Sequence, residues 1–74
     1  MENKYYVCRV WKRSGRVEFK MHKCLDNYCD KAYLDRYPDR VWQFSKSGAK
    51  KIVDRYNAAE WNKNCEYFMQ PVTA

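Results

Sequence analysis

The sequence predicts a small α+β domain in which one main α-helix packs on a small antiparallel β-sheet. Three observations predict it: two alternating segments around Ser14-Gly15, a helical apolar stripe between residues 45 and 61, and a short apolar run that opens at Cys65. With 74 residues the chain is expected to be a single domain, residues 1–74. This length is close to the limit at which one apolar core suffices.

The first two segments, residues 4–12 and 16–23, alternate between apolar and polar side chains and predict a β-hairpin. A two-residue loop at Ser14-Gly15 would pair Cys8 with Met21. Because strand side chains alternate between the two faces, this register separates them into two sets. We take as the core face the set Tyr6, Cys8, Val10, Val17, Phe19 and Met21. The opposite face carries Tyr5, Val7, Arg9, Trp11, Arg16, Glu18, Lys20 and His22.

The second half of the chain predicts a short strand, the main helix and a last strand. Residues 41–44 form the short strand candidate, and Ser45 or Ser47 caps a helix that runs to about Trp61. Residues 65–69 form the last strand, which Pro71 ends or places at an edge. One stripe of the helix is largely apolar and comprises Ala49, Ile52, Val53, Tyr56 and Glu60, with Ala59 beside them.

Between the hairpin and the short strand, residues 24–40 show no clear periodicity beyond one or two possible helical turns at 28–34. A connection this long in so small a domain needs an internal anchor. The spacing His22-x-Cys24-x4-Cys29 offers ligands that zinc prefers, and Cys65 would complete a closed structural site. The predicted cofactor is therefore a structural zinc held by Cys24, Cys29, Cys65 and His22, which anchors the loop.

Alternatives to this ligand set remain open. Asp26, Asp30 or Cys8 could replace His22 or Cys65, although Cys8 lies on the predicted core face. Unligated thiols or a disulfide are the other interpretations of the four cysteines. A reducing cytoplasm favours metal ligands or free thiols over disulfides.

The charge balance indicates the class of partner. Fifteen Lys and Arg against nine Asp and Glu give a net charge of +6, which favours an acidic protein surface or nucleic acid and argues against a mimic of DNA. No phosphate-binding glycine motif or nucleophile motif is present, and the chain has one histidine, so we expect no enzyme activity. No apolar stretch has signal-peptide or membrane-span length, so a cytoplasmic location in the host cell is expected.

Two surfaces are candidates for partner binding. Arg9, Trp11 and Lys20 give the outward hairpin face an aromatic and basic character. Such a face could stack on single-stranded nucleic acid, or it could be covered to form a second core. Lys46, Lys50, Lys51 and Arg55 form a basic stripe on the helix, which could meet phosphate or an acidic protein patch. Of these, Lys50, Lys51 and Arg55 are the predicted partner-binding residues.

Residues 42–57 and 65–69 carry a resemblance to a known kind of protein. The helix entry Phe44-Ser45-x-x-x-Ala49-x-x-Ile52, a leading hairpin and a final strand resemble the closing half of small phage and prophage accessory proteins. That resemblance implies a phage counter-defence role, including that of the anti-CRISPR inhibitors of Cas9. The basic charge and the Cys24 to Cys29 spacing depart from the general pattern of these proteins. We therefore expect the chain to bind a protein surface and not to act as a structural mimic of duplex nucleic acid.

The functional hypothesis from the sequence is therefore a phage-encoded anti-CRISPR protein. It would bind a host defence protein such as a Cas effector and block it without catalysis, stabilised by structural zinc. The alternative is a small basic regulator that binds nucleic acid. A membrane partner is not expected.

Overall fold

The computed structural model describes residues 4–72 and confirms the α+β class, with a curled antiparallel sheet and one main helix. Neither of its α-helices is long and apolar enough to span a bilayer. The elements follow one another as β1 (Lys4–Trp11), β2 (Val17–Lys20), β3 (Tyr28–Cys29), α1 (Lys31–Arg36), a 3-10 turn (Pro38–Arg40), β4 (Phe44–Ser45), α2 (Lys46–Ala58) and β5 (Cys65–Pro71).

The predicted hairpin is present, but its register differs from the prediction. Cys8 pairs with Phe19 and not with Met21, a shift of two residues. The loop is longer than predicted because the N–H of Trp11 donates to the carbonyl of Arg16 at 2.9 Å, which closes the hairpin before Ser14. Gly15 has a φ of 74°, which favours glycine at that position. A shift by two preserves the side-chain parity, so both predicted faces keep their members.

Strand β1 is the centre of the sheet. It pairs with β2 and β4 along one edge and with β5 along the other, while β3 extends the sheet beyond β2. The predicted last strand is confirmed and extends to Pro71 at its end. The predicted strand at residues 41–44 is shorter and later, since β4 begins at Phe44, while Val41 is buried without being in a strand.

Both faces of the sheet are buried, so of the two interpretations of the outward hairpin face the structure has the covered one, which forms a second core. Helix α2 covers the face of Val7, whose side chain is fully buried and packs with Ala49 of the helix and Phe44 of β4. The segment from β3 to Val41, with α1, covers the opposite face. That second core contains Tyr6, Cys8, Phe19, Cys29, Leu34 and Val41.

Helix α2 begins where the sequence predicts and ends earlier. The Oγ of Ser45 accepts a hydrogen bond from the N–H of Gly48 at 3.1 Å, which identifies Ser45 as the N-cap. The predicted apolar stripe faces the sheet. At the other end, Asn57 fixes the helix to β5, because its side chain accepts from the N–H of Tyr67 at 2.7 Å and donates to the carbonyl of Tyr67 at 2.9 Å.

Candidate functional site

Two of the predicted hairpin contacts, Arg9 and Trp11, lie in a partly buried cluster around Glu18. The Nε of Arg9 and the Nε1 of Trp11 both donate to Oε1 of Glu18, each at 2.8 Å. The side chains of Arg9 and Glu18 are 20% and 14% exposed. Alternation places all three residues on the Val7 face. Because that face is covered, they form an internal hydrogen-bonded network and not an exposed surface. In this conformation a partner reaches little of Arg9 and Glu18.

Aromatic rings complete this cluster. The guanidinium carbon of Arg9 lies 3.6 Å from the ring centroid of Tyr28 and 4.9 Å from that of Trp11, distances at which cation–π attraction operates. Burial acts to lower the pKa of Arg9, but Tyr67 and Glu18 beside it outweigh burial and raise that pKa. The hydroxyl of Tyr28 is buried and has no hydrogen-bond partner within residues 4–72, and burial raises its pKa.

Glu18 shows the reverse balance. Burial alone would raise the pKa of its carboxyl, yet the hydrogen bonds from Trp11 and Arg9 and the charge of Arg9 lower it overall. Such a carboxylate is held ionised by its donors. The cluster therefore stabilises the fold through charge that is satisfied internally.

The third predicted hairpin contact, Lys20, is 1% exposed and serves as an anchor. Its Nζ donates to the carbonyl of Leu25 at 2.7 Å and lies 3.4 Å from Oδ1 of Asp26. The hydroxyl of Tyr56 on α2 donates to the same carboxylate oxygen at 3.2 Å. Burial, followed by the charge of Asp26, raises the pKa of Tyr56. Lys20 thus ties the start of the 24–40 connection to the helix.

Sequence reasoning missed this role of Lys20. Alternation places Lys20 on the same face as Val7. A lysine on a buried face requires a partner for its charge, and this requirement was the signal that could have identified its role. Asp26, six positions later, is that partner. Lys20 thus holds the start of the 24–40 connection, while the metal anchor expected from the sequence stays a prediction.

The predicted zinc ligands do not converge in this structure. Cys24 is exposed in the loop, and Cys29 is buried in the core on the Tyr6 face of the sheet. Cys65 is buried in β5 and pairs with Trp11, so it lies on the Val7 face. The Nδ1 of His22 accepts from the N–H of Cys24 at 3.1 Å. Within residues 4–72 no three His, Cys, Asp or Glu side chains are grouped as metal ligands would be.

Protonation also bears on these thiols, because zinc binds thiolates. Burial raises the pKa of Cys29 and of Cys65. Burial and the nearby Cys29 raise the pKa of Cys8 to about 12. Zinc binding by the predicted set would thus require a rearrangement that brings thiols from both faces together, and the structural zinc stays a prediction.

A groove lies between the loop at Lys23 and one flank of α2. Its volume is about 720 Å³, which lies within the range of small-ligand sites. We call it the basic groove; its lining includes Lys23, Cys24, Lys51, Ile52, Arg55 and Tyr56.

The charges of the basic groove are unbalanced. Asp54 also lines it, but its Oδ2 accepts from the Nζ of Lys50 at 3.0 Å. Among the residues described, Lys23, Lys51 and Arg55 form no ion pair. The predicted helix stripe is therefore divided, since Lys50 is paired while Lys51 and Arg55 face the groove.

Comparison with known proteins found no matching family model and no significant match among curated proteins or solved structures.

Proposed function

We propose that this chain is a non-enzymatic anti-defence protein of a phage or mobile element, which binds a Cas9-type effector and blocks its activity. The basic groove is the contact surface in this proposal. Assignment to a Cas effector rests on the sequence resemblance carried by residues 42–57 and 65–69. The observation that supports binding is a groove with three cations that lack an acidic partner among the described residues.

The positions of these cations favour binding over a role in stability. Lys51 and Arg55 are one helical turn apart, and like charges at this spacing destabilise a helix by about 0.2–0.5 kcal/mol. Lys23 adds a third positive charge across the groove. A negatively charged partner would relieve this repulsion.

The positions of the other predicted partner-binding residues limit the extent of the proposed contact surface. Lys20 is buried, while Arg9 and Trp11 are bound to Glu18, so the proposed surface does not include them. Lys50 lies at the edge of the basic groove, because it forms an ion pair with Asp54, which lines the groove. Structural zinc stays a separate prediction from the sequence, since its ligands do not converge in this structure and one of them, Cys24, lines the groove.

The experiment is a target-DNA cleavage assay with a panel of Cas9-type effector–guide complexes. We expect stoichiometric inhibition by the wild-type protein and about tenfold weaker inhibition, or about 1.4 kcal/mol, by Lys51→Gln/Arg55→Gln. The control Arg36→Gln/Lys46→Gln removes the same charge outside the groove and should inhibit like the wild type. Full cleavage by every effector at excess protein, or equal loss in both double variants, would refute the proposal.

A further inference from the structure

Exposed aromatic rings flank the basic groove. Tyr56 lines it, and the ring of Trp61 lies 5.6 Å from that of Tyr56 in an edge-to-face arrangement. Trp61 is 66% exposed, although it is a large aromatic residue. On the other side of the groove, the Nζ of Lys23 lies 5.5 Å from the ring centroid of Trp42, which is 44% exposed.

We propose that the basic groove binds single-stranded nucleic acid. Lys23, Lys51 and Arg55 contact its phosphates, and Trp61 stacks on a base. This inference rests on the proposed function, in which an effector–guide complex contacts the groove, and names the single-stranded nucleic acid of such a complex as the part that the groove holds. Cations that follow a backbone together with exposed rings that receive bases are the two features shared by proteins that bind single strands.

The aromatic rings favour this ligand over an acidic protein surface. Carboxylates on a protein would satisfy the three cations and leave the exposed faces of Trp61 in water. Unpaired bases offer a π-face to each such ring, which a base inside a duplex does not. An exposed tryptophan that packs against Tyr56 is already held in position, so stacking on it costs little ordering of the side chain.

The dimensions agree with an extended strand. Lys51 and Arg55 are separated by about 6 Å along the helix axis, at 1.5 Å per residue. The lining of the groove by α2 runs from Gly48 to Tyr56, about 12 Å along the same axis. The groove can therefore hold more than one phosphate in succession, and Trp61 contacts Tyr56, the last α2 residue that lines it.

The test measures fluorescence anisotropy of a labelled oligothymidylate of about 12 nucleotides, within the ~4–16 nucleotide range of known single-strand sites. Three phosphate contacts predict that log K falls with log salt at a slope of about −2, from roughly −0.7 per contact. Lys51→Gln should bind more weakly and reduce the slope by about 0.7. Lys46→Gln, on the opposite flank of α2, should leave the slope unchanged.

Trp61→Leu distinguishes stacking from charge. It should weaken binding about tenfold and leave the salt slope unchanged, because it removes a ring and no charge. Trp61→Phe should restore part of the affinity. Circular dichroism and melting of each variant show whether the fold is kept.

Several results would overturn the inference. The first is the absence of binding at about 50 mM salt. The second is an equal loss of affinity in Lys46→Gln and Lys51→Gln, and the third is equal affinity for a duplex of the same length. Displacement of the oligonucleotide by polyglutamate at equal charge concentration would assign the groove to an acidic protein instead. The assay uses this protein alone, so its failure is distinguishable from a failure to inhibit an effector.

Discussion

Replacing Glu18 by Gln tests whether the cluster around Arg9 stabilises the fold through charge. The carboxylate accepts two hydrogen bonds at 2.8 Å on one oxygen, and a hydrogen bond to a charged group contributes about 1.5–3 kcal/mol. Gln keeps an acceptor of the same shape but loses the charge opposite Arg9. We therefore expect the free energy of unfolding to fall by about 2–3 kcal/mol at neutral pH.

Urea denaturation measures this loss directly. The same loss corresponds to a fall in Tm of roughly 8–24 °C, at about 4–8 °C per kcal/mol for a domain of this size. Glu66→Gln is the matched control, since it removes the same charge from an exposed position on β5. We expect that control to change the free energy of unfolding by less than about 0.5 kcal/mol.

The pH dependence provides the sharper check. The folded-state pKa of Glu18 lies below the ordinary value of 4.5, so its stabilising effect is complete above that value and is lost as the pH falls through the folded-state pKa. A protonated Glu18 resembles Gln. The difference between wild type and Glu18→Gln should thus shrink as the pH falls below 4.5. A difference that stays constant down to about pH 2 would refute the reasoning.

Three further predictions concern the anchor, the thiols and the metal. In urea denaturation, Lys20→Ala should lower the free energy of unfolding more than Lys20→Met. The reason is that Met keeps the buried stem of the side chain and leaves Asp26 exposed to water. Equal losses in the two variants would contradict this. Ellman's reagent should react rapidly with Cys24 and slowly with Cys8, whose pKa of about 12 disfavours the thiolate; a fast phase that survives in Cys24→Ser would contradict this. The structural zinc predicts about one equivalent of metal in protein purified without chelator and a lower Tm in Cys24→Ser, which changes an exposed thiol of the predicted set. Little zinc together with unchanged melting on chelation would refute it.

Much of the architecture could be predicted because its signals are local. Alternation assigned the hairpin side chains to the correct faces, and the stripe at Ala49, Ile52 and Val53 identified the helix face that packs on the sheet. The hairpin register was wrong by two residues because parity does not distinguish shifts of two. The exact pairing depends on where the loop closes.

The candidate site was less predictable. Lys51 and Arg55 were correctly singled out as basic positions, but their separation from Lys50 depends on which flank of α2 faces the loop at Lys23. The exposure of Trp61 follows from the end of the helix at Ala58, three residues earlier than predicted. These features come from contacts between distant segments, which the sequence pattern does not encode locally.

By itself the sequence determined the class of fold, the strand faces, the capped helix and the excess of positive charge. All of these follow from periodicity and composition, which act over a few residues. Only the tertiary structure decided that both faces of the sheet are covered, that Lys20 is buried as an anchor and that the sheet lies between Cys29 and Cys65. The physical reason is that alternation fixes the side on which a residue lies, whereas long-range packing decides what covers that side.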